Sequence, residues 1–566
     1  MQECRWEFQS LVSTRNSEEN GMSLFGGLYV GTSGLQTSQN ALNTVAHNMV
    51  NVDTAGYTRQ QVAQATRSYN TISTTNSAIS YQQVGLGVSY AEVRQVRDIF
   101  LDKSYRRESG RQGFYDVSCD AIEEVESIFQ ELDGEAFANT LTNLWESVQE
   151  LAKDPSNTVN QGIFVQRCSE FVTRSNAVYD DLSNYQNDLN YKVKQKTDTI
   201  NSLGDRLVEI NTQILKIESA QVEKANDLRD QRNAIIDELS TYASMTTATD
   251  AEGNITVQLE GVDFVTAGSC KKLALYEDPT TGFYTPYWES LATKNPDGTV
   301  DESSIMSAKV FDLSQEISTD MNTDIGALKS TLLARGDHRA TFADLADSDT
   351  YKGISSSVVM NVMAEFDQLV HDVTVSINQV IKDAANEAAK TAPGTNYLID
   401  PTTNEPYKVF TVASNEQSQK PGGTWEDDYT TSNILINNTL KQSPSLLGFI
   451  RDDGVVDQNC ADLLKDVFTN EKYTLNPEVK TTTNISNYYN NLISQVANSG
   501  YIMRGISANQ EITVTNIAAS REEILGVSTD EELSNMIMFQ NAYNASSRYI
   551  NVVSELLEHI INTLGT

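Results

Sequence analysis

The stretch that decides the fold is "SLFGGLYVGTSGLQTSQNALNTVAHNMVNVDTAGYTRQQV", residues 23–62. Its large apolar residues recur every seven positions, with a companion row three residues later; they are Leu28, Leu35, Leu42 and Met49, with Val45 and Val52 in the companion row. Two apolar positions per heptad predict an α-helix that packs along another helix. Residues 28–49 contain no Lys or Arg, which a helix lying on a membrane would carry on its polar face. The pattern therefore favours a protein partner.

The heptad pattern stops in a polar turn, whose motif residues are Asn48, Asn51, Gly56, Tyr57, Thr58, Arg59 and Gln60. The two asparagines can bond the backbone of a turn, and the glycine permits left-handed dihedral angles. We expect Tyr57 to anchor the chain as it leaves the turn. Arg59 and Gln60 have no evident partner in the sequence, and we assign them to contacts between subunits.

The C-terminal end repeats the heptad pattern. Its two rows are Met536, Tyr543, Ile550, Leu557 and Leu564, and Phe539, Val553 and Ile560. Residues 528–532 supply a helix cap and an acidic first turn. Neither terminal seam has a neighbour in the sequence that would cover it. We therefore predict that the two seams pair with each other or with copies of themselves.

The middle of the chain predicts long helices and small sheets. Residues 182–217 continue a heptad pattern that predicts a helix of about 45 residues, about 70 Å long. Residues 355–389, 120–152 and 484–524 are also typical of helices, whereas residues 251–268 alternate as strands do. The predicted fold is mainly α with β-rich inserts: terminal heptad helices that pair as a coiled coil, a long-helix bundle domain, and small β-containing domains that face outward.

The predicted organisation has eight segments. They are, in chain order, a disordered extension or upstream artefact (1–21), the N-terminal assembly helix (22–60), the first part of the long-helix domain (61–245), a β-rich insert (246–325), a long helix that returns to the helical domain (326–391), a second variable insert (392–483), the last part of the helical domain (484–524) and the C-terminal assembly helix (525–566).

Composition and motifs argue against several functions. The formal net charge of −36 disfavours nucleic acid and anionic membranes as partners. Five scattered cysteines and four scattered histidines form no metal or disulfide pattern, and no nucleophile, zinc or phosphate-loop motif occurs. We therefore predict no catalytic residue, no metal and no cofactor, and a protein that is not an enzyme.

One basic stretch stands out on this acidic chain. Arg94, Arg97, Arg106 and Arg107 lie within "EVRQVRDIFLDKSYRRESGRQ". The stretch is either a solvated helix face or an electrostatic match to the acidic face of a neighbouring copy.

These features resemble a known family. Residues 23–62 resemble the N-terminus shared by bacterial flagellar axial proteins, in which a heptad helix leads into Asn-x-x-Asn-x-x-Thr-x-Gly-Tyr. The Thr-Arg-Gln continuation and "VGLGVSYAEVRQVRDIFLDKSYRRE" (84–108) resemble the hook-associated protein 1 family, the hook–filament junction proteins. Residues 520–565, with Gly-Val-Ser-x-Asp-Glu-Glu and Phe-Gln-x-Ala-Tyr-x-Ala-Ser, are similar to that family's C-terminus.

The resemblance implies an extracellular structural subunit of the flagellum that assembles as a helical layer between hook and filament. It implies export through the flagellar secretion channel without a cleaved signal peptide. The implied partners are copies of the chain, the hook protein, the third hook-associated protein and a cytosolic export chaperone. Two alternatives are a secreted cell-surface adhesin and an axial protein that carries an enzymatic insert.

Overall fold

The computed structural model describes residues 3–67, 70–74, 81–129, 137–220, 223–250, 253–295, 300–413 and 428–564. Side chains are described within these ranges except for 3–25, 70–74, 81–84, 90–91 and 564. The fold is mainly helical with small antiparallel sheets, which confirms the predicted class. Residues 1–21 are predicted as a disordered extension or an upstream artefact; in the structure residues 3–21 are helical, while residues 1–2 and the side chains of residues 3–25 lie outside the described part.

The two ends of the chain pair as an antiparallel rod, which confirms the predicted coiled-coil pairing. Helix α1 spans Glu3–Val50 and helix α13 spans Thr529–Leu564. Asn48 near the end of α1 lies against Glu532 near the start of α13, and Gly31 lies against Ile550. The end of α1 and the start of α13 therefore join the body of the protein at the same place.

A β-arm follows the first helix. Strands β1 (Gln60–Thr66) and β4 (Val88–Gln95) pair antiparallel with a bulge, and between them β2 (Asn70–Thr74) pairs with β3 (Tyr81–Val84). Strand β4 also packs on α1. This arm falls within residues 61–245, which are predicted as the first part of the long-helix domain; the apolar alternation of its strands is too weak to predict them.

Long helices build the body. They are α2 (Ile99–Phe129), α3 (Phe137–Lys153), α4 (Thr158–Glu218), α5 (Asn226–Ser240), α9 (Val358–Thr391) and α12 (Ile485–Leu525). At 61 residues, α4 is longer than predicted and measures about 90 Å. It starts earlier because Asn157 caps it, and because Phe164 and Phe171 extend the buried row toward the N-terminus.

Two hydrophobic cores share α4. The core at its N-terminal half includes α3, α9 and the start of α12, with Phe137, Phe164, Phe366 and Tyr488 among its buried residues. The core at its C-terminal half includes α5 and the predicted first insert, whose Phe264 and Trp288 are buried there.

The first insert region is a set of small antiparallel sheets followed by a short helix. Its elements are β5 (Met245–Thr249), β6 (Ile255–Leu259), β7 (Val262–Val265), β8 (Leu273–Glu277), β9 (Tyr284–Trp288) and α6 (Glu302–Ser307). Strands β5, β6 and β7 form one sheet, and β8 pairs with β9. The next two helices, α7 (Ala327–Arg335) and α8 (Ser348–Ile354), lie where one long helix is predicted over 326–391; Gly336, with φ +77°, ends α7, and the long helix α9 begins only at Val358.

The second insert region packs into the core at the N-terminal half of α4. Its elements are β10 (Phe410–Val412), β11 (Ile434–Ile436), α10 (Asn438–Gln442) and α11 (Gln458–Thr469). Phe410, Phe449 and Leu464 are fully buried in the same core as α4 and α9. Deleting this region would expose that core, so such a deletion cannot separate a binding role from a structural one.

Candidate functional site: the joint between the terminal helices and the body

The joint is the turn in which α1 ends. The amide of Asn51 donates to the His47 carbonyl at 3.0 Å and so satisfies one of the last helical acceptors. Gly56 has φ +78° and no atom near the position of a Cβ, so the left-handed backbone, not crowding, is what requires glycine here.

Asn48 is the centre of the joint. Its side chain is buried, and its Nδ2 donates to the Gln60 carbonyl at 2.8 Å and to Glu532 Oε2 at 3.2 Å. Its Oδ1 accepts from the Tyr57 hydroxyl at 2.8 Å and from the Gln60 backbone N–H at 3.0 Å. One amide therefore connects the end of α1, the start of β1 and the first turn of α13.

Arg59 also connects the turn to α13, through two ion pairs. Its Nε lies 2.9 Å from Glu532 Oε1, and its Nη1 lies 2.7 Å from Glu531 Oε2. The Glu532 side chain is only 2% exposed, whereas that of Glu531 is 62% exposed. The Arg59 backbone N–H also donates to the Leu525 carbonyl at 2.9 Å. Arg59, for which a subunit contact is predicted, thus makes two ion pairs within its own chain, and the subunit contact stays a prediction.

A buried carboxylate docks the turn onto α5. Asp230 accepts from the Thr58 backbone N–H at 3.0 Å and from Gln95 Nε2 at 2.7 Å, and Arg97 lies 3.6 Å away. Burial raises the pKa of Asp230, and the Thr58 bonds and the Arg97 charge offset part of that rise. Burial and the neighbouring carboxylates also raise the pKa of Tyr57, so its hydroxyl stays protonated as a donor.

Gln60 and His47 both contact Asp227 in the first turn of α5. Gln60 Nε2 donates to Asp227 Oδ1 at 3.1 Å, and His47 Nε2 lies 3.8 Å from the other oxygen of Asp227. Gln60, for which a subunit contact is also predicted, thus contacts α5 of its own chain, and its subunit contact stays a prediction.

The structure does not bring the predicted basic patch together as one surface. Arg97 makes a two-point pair with Asp102 at 3.0 Å, and Arg106 lies 2.6 Å from Asp237. Arg521 of α12 bridges both carboxylates, at 2.7 Å from Asp102 and 2.6 Å from Asp237. Burial pushes the pKa of Asp102 upward, but the Arg97 hydrogen bond and the neighbouring arginine charges hold it below its ordinary value. The network ties α2, α5 and α12 together inside one chain.

The other two arginines of the predicted patch are exposed. Arg94 donates to Gln61 at 3.0 Å, and Arg107 lies 2.8 Å from Glu108. Arg94 and Arg107 are therefore the two of the four arginines that are exposed to other molecules, whereas Arg97 and Arg106 are held in largely buried ion pairs.

The predicted seam residues lie along the contact between α1 and α13. Val45 and Val553 are buried, and the half-buried ones are Leu28, Leu35, Leu42, Met49, Met536, Phe539, Tyr543, Ile550, Leu557 and Ile560. The side chain of Leu564 lies outside the described residues. At Gly31 a Cβ would stand 2.7 Å from Ile550 Cγ1, so the glycine allows the two helices to approach closely.

Sequence reasoning missed Glu532, Asp230 and Asp102 as members of the joint. Glu532 falls in the companion heptad row with Phe539 and Val553, where a charge requires a buried partner. An acidic residue at an apolar heptad position is a sequence signal for a buried ion pair, and Arg59 in the polar turn is a cation without a partner in the sequence around it. Asp102 and Asp230 gave no such signal, because their partners come from distant elements.

Three family models match the chain. The flagellar hook-associated protein FlgK helical domain matches residues 122–386, the flagella basal body rod protein model matches 28–58, and the flagellar basal body rod FlgEFG protein C-terminal model matches 519–563. The two rod-protein matches thus fall on α1 with its turn and on α13.

Relatives match over almost the whole chain. Flagellar hook-associated protein 1 of Bacillus subtilis (strain 168) is 26% identical over 96% of this chain and 99% of its own length. The protein of the same name from Escherichia coli (strain K12) is 21% identical over 94% of this chain and 98% of its own.

A solved structure has the same fold. The flagellar hook junction protein FlgK from Burkholderia pseudomallei matches with a TM-score of 0.54 and 10% identity, over 75% of this chain and 100% of that chain. The family models and the near full-length relatives thus show similarity to flagellar hook-associated protein 1 and other flagellar axial proteins, and the solved structure shows that the fold is shared.

Proposed function

We propose that this chain is a structural subunit of the bacterial flagellum that forms the junction between hook and filament. The matching family models and the names of its relatives support this role. The single observation that carries it further is an apolar row on the outer face of α13, which the pair with α1 leaves about half exposed.

The outer row has the spacing of a second helix seam. Met538, Val552 and Leu556 are 52–53% exposed, and Ala542 and Ala545 are exposed in the same row. Tyr549, at 44% exposed, belongs to the row but also packs against Gly31 of α1. The six positions are separated alternately by four and three residues, the spacing with which a helix meets another helix. In a monomer these side chains are partly exposed to solvent, and packing against neighbouring copies would bury them.

The terminal helices also lack the charge that keeps the rest of the chain apart. Residues 22–52 contain no Asp, Glu, Lys or Arg, and Arg548 is the only such residue between 533 and 554. On a chain of formal net charge −36, uncharged rods can pack side by side while the acidic bodies repel one another. This distribution supports assembly through the rods.

The test replaces three residues of the outer row. Each of Met538, Val552 and Leu556 has about half of its surface left to bury, worth about 1 kcal/mol, so the triple change to glutamine removes roughly 3 kcal/mol per contact, about a hundredfold in affinity. We expect cells that carry only this variant to lose their filaments, while the purified monomer keeps its melting temperature.

A matched control lies on the other side of the same helix. Leu533, Ile537 and Ile561 are 49%, 54% and 68% exposed and lie outside both rows. Their triple change to glutamine should leave filaments in place. Equal filament loss in both triple variants would refute assembly through the outer row.

The remaining partners are part of the same proposal. We infer that copies form a helical layer between the hook protein and the third hook-associated protein, after export through the flagellar channel without a cleaved signal peptide and with a cytosolic chaperone. We also propose that the chain catalyses no reaction. Among the described residues, no helix has the length and apolar composition to cross a bilayer. Co-purification of the chain with each named protein tests these contacts.

A further inference from the structure

A groove opens beside the joint, between the first turns of α2 and strand β5. Its volume is about 440 Å³, and Phe100, Met245 and Ile325 contribute to its lining. Phe100 is 75% exposed, and the preceding Ile99 is 71% exposed. Two adjacent large apolar side chains that contact water to this extent indicate a surface that another molecule covers.

The rim of the groove is positively charged. Lys103 is exposed and makes no ion pair in the described part of the chain, and Arg107 is half-exposed. The one carboxylate beside Arg107 is Glu108, which also accepts from Arg111 and from Gln510. The rim therefore keeps a net positive charge.

We propose that this groove docks an acidic, apolar segment of a second copy of this chain. The choice of the copy rests on charge complementarity: each copy carries 77 Asp and Glu against 41 Lys and Arg, so acidic surface outweighs basic surface on a second copy and matches the positive rim. The proposal depends on the proposed function, because it needs copies held side by side in one layer.

The position of the groove fits such a contact. Its wall is α2, and Arg106 in that wall pairs with Asp237, which also binds Arg521 of the network that holds the joint. A copy bound in the groove would therefore contact α2, which the ion-pair network connects to α5 and α12 beside the joint. A groove on one copy and a different surface on the next form a head-to-tail contact, which can repeat around a ring or a helix.

Photocross-linking in assembled flagella identifies the occupant. The change Phe100→p-benzoylphenylalanine is made in the full chain, flagella are isolated and irradiated, and cross-linked peptides are sequenced. We expect a peptide of this same chain that contains Asp or Glu. A peptide from another protein, or no cross-link in filament-bearing flagella, overturns the proposal.

Substitution measures the strength of the contact. We expect the double change Phe100→Ser and Lys103→Glu to lower the fraction of cells with filaments about tenfold, as the loss of an interface anchor does. Arg94→Glu is the charge-matched control, because Arg94 is exposed on β4 and does not line the groove; it should keep its filaments. An unchanged melting temperature of the double variant excludes unfolding.

The outcomes separate this proposal from the proposed function. If the outer row of α13 is required for filaments and the groove variant behaves as the native chain, the groove proposal fails and the junction role stands. If neither variant affects filaments, both fail.

Discussion

The pair of Arg59 and Glu532 offers the sharpest energetic prediction. The change Arg59→Met keeps most of the apolar stem and removes the guanidinium, which leaves the buried Glu532 carboxylate with Asn48 as its remaining partner. Breaking a buried ion pair from one side costs about 3–5 kcal/mol. Because Arg59 is 23% exposed and Asn48 still donates, we expect the lower end, about 3 kcal/mol.

Hydrogen exchange measures this loss at the joint itself. The backbone N–H of Arg59 bonds the Leu525 carbonyl, and the N–H of Val96 bonds the Arg59 carbonyl, so both report the opening of the joint. A loss of 3 kcal/mol should raise their exchange rates roughly a hundredfold.

The neighbouring acid provides the control. Glu531 binds the same arginine but is 62% exposed, so Glu531→Gln should cost less than about 1 kcal/mol. Adding Glu532→Gln to Arg59→Met should recover part of the loss, because the unpaired buried charge is gone. If Arg59→Met and Glu531→Gln raise the exchange rates equally, the buried pair does not hold the joint.

Three further predictions concern stability and the terminal helices. Burial raises the pKa of Glu365 to about 7, so the folded chain binds this proton more tightly than the unfolded chain, and the free energy of unfolding falls as the pH rises from 4.5 to about 7. Glu365→Gln should reduce this fall by about 3 kcal/mol in urea titrations. An unchanged dependence of the unfolding free energy on pH would contradict the prediction. Gly31→Leu should separate α1 from α13 and increase proteolysis of both, whereas Gly505→Ala, on an open face of α12, should not; equal cleavage of the two variants would contradict the close contact. In dilute monomer, protease should trim residues 530–564 before it cuts the body, since an isolated two-helix rod is marginal; first cuts within α4 would disprove this.

The terminal helices could be predicted because their heptad rows are local in the sequence. Leu35 and Met49 lie in one row, as do Met536 and Ile550, and the near absence of charge, with Arg548 alone between these pairs, leaves few alternatives. The length of α4 was underestimated, since its first turns bury polar residues such as Gln161 and Ser175 that interrupt the apolar pattern.

The chemistry of the joint could be predicted only in part. The polar turn was visible, but the partners of Arg97, Arg106 and Arg521 are supplied by α2 and α5, and no spacing in the sequence connects those elements. The sequence predicts the second insert region but not its burial in the main core, for the same reason: its buried Phe410 and Phe449 pack on helices that are distant in the sequence.

The most direct test of the central claim is the location of the chain without its C-terminal helix. Residues 530–566 are deleted, and the truncated chain is imaged at the hook tip of cells that lack the intact protein. The account predicts that the truncated chain is absent from the tip and that filaments are not retained, because α1 loses its partner and the outer row is gone. A truncated chain that sits at the hook tip beneath a stable filament would contradict assembly through the terminal rod.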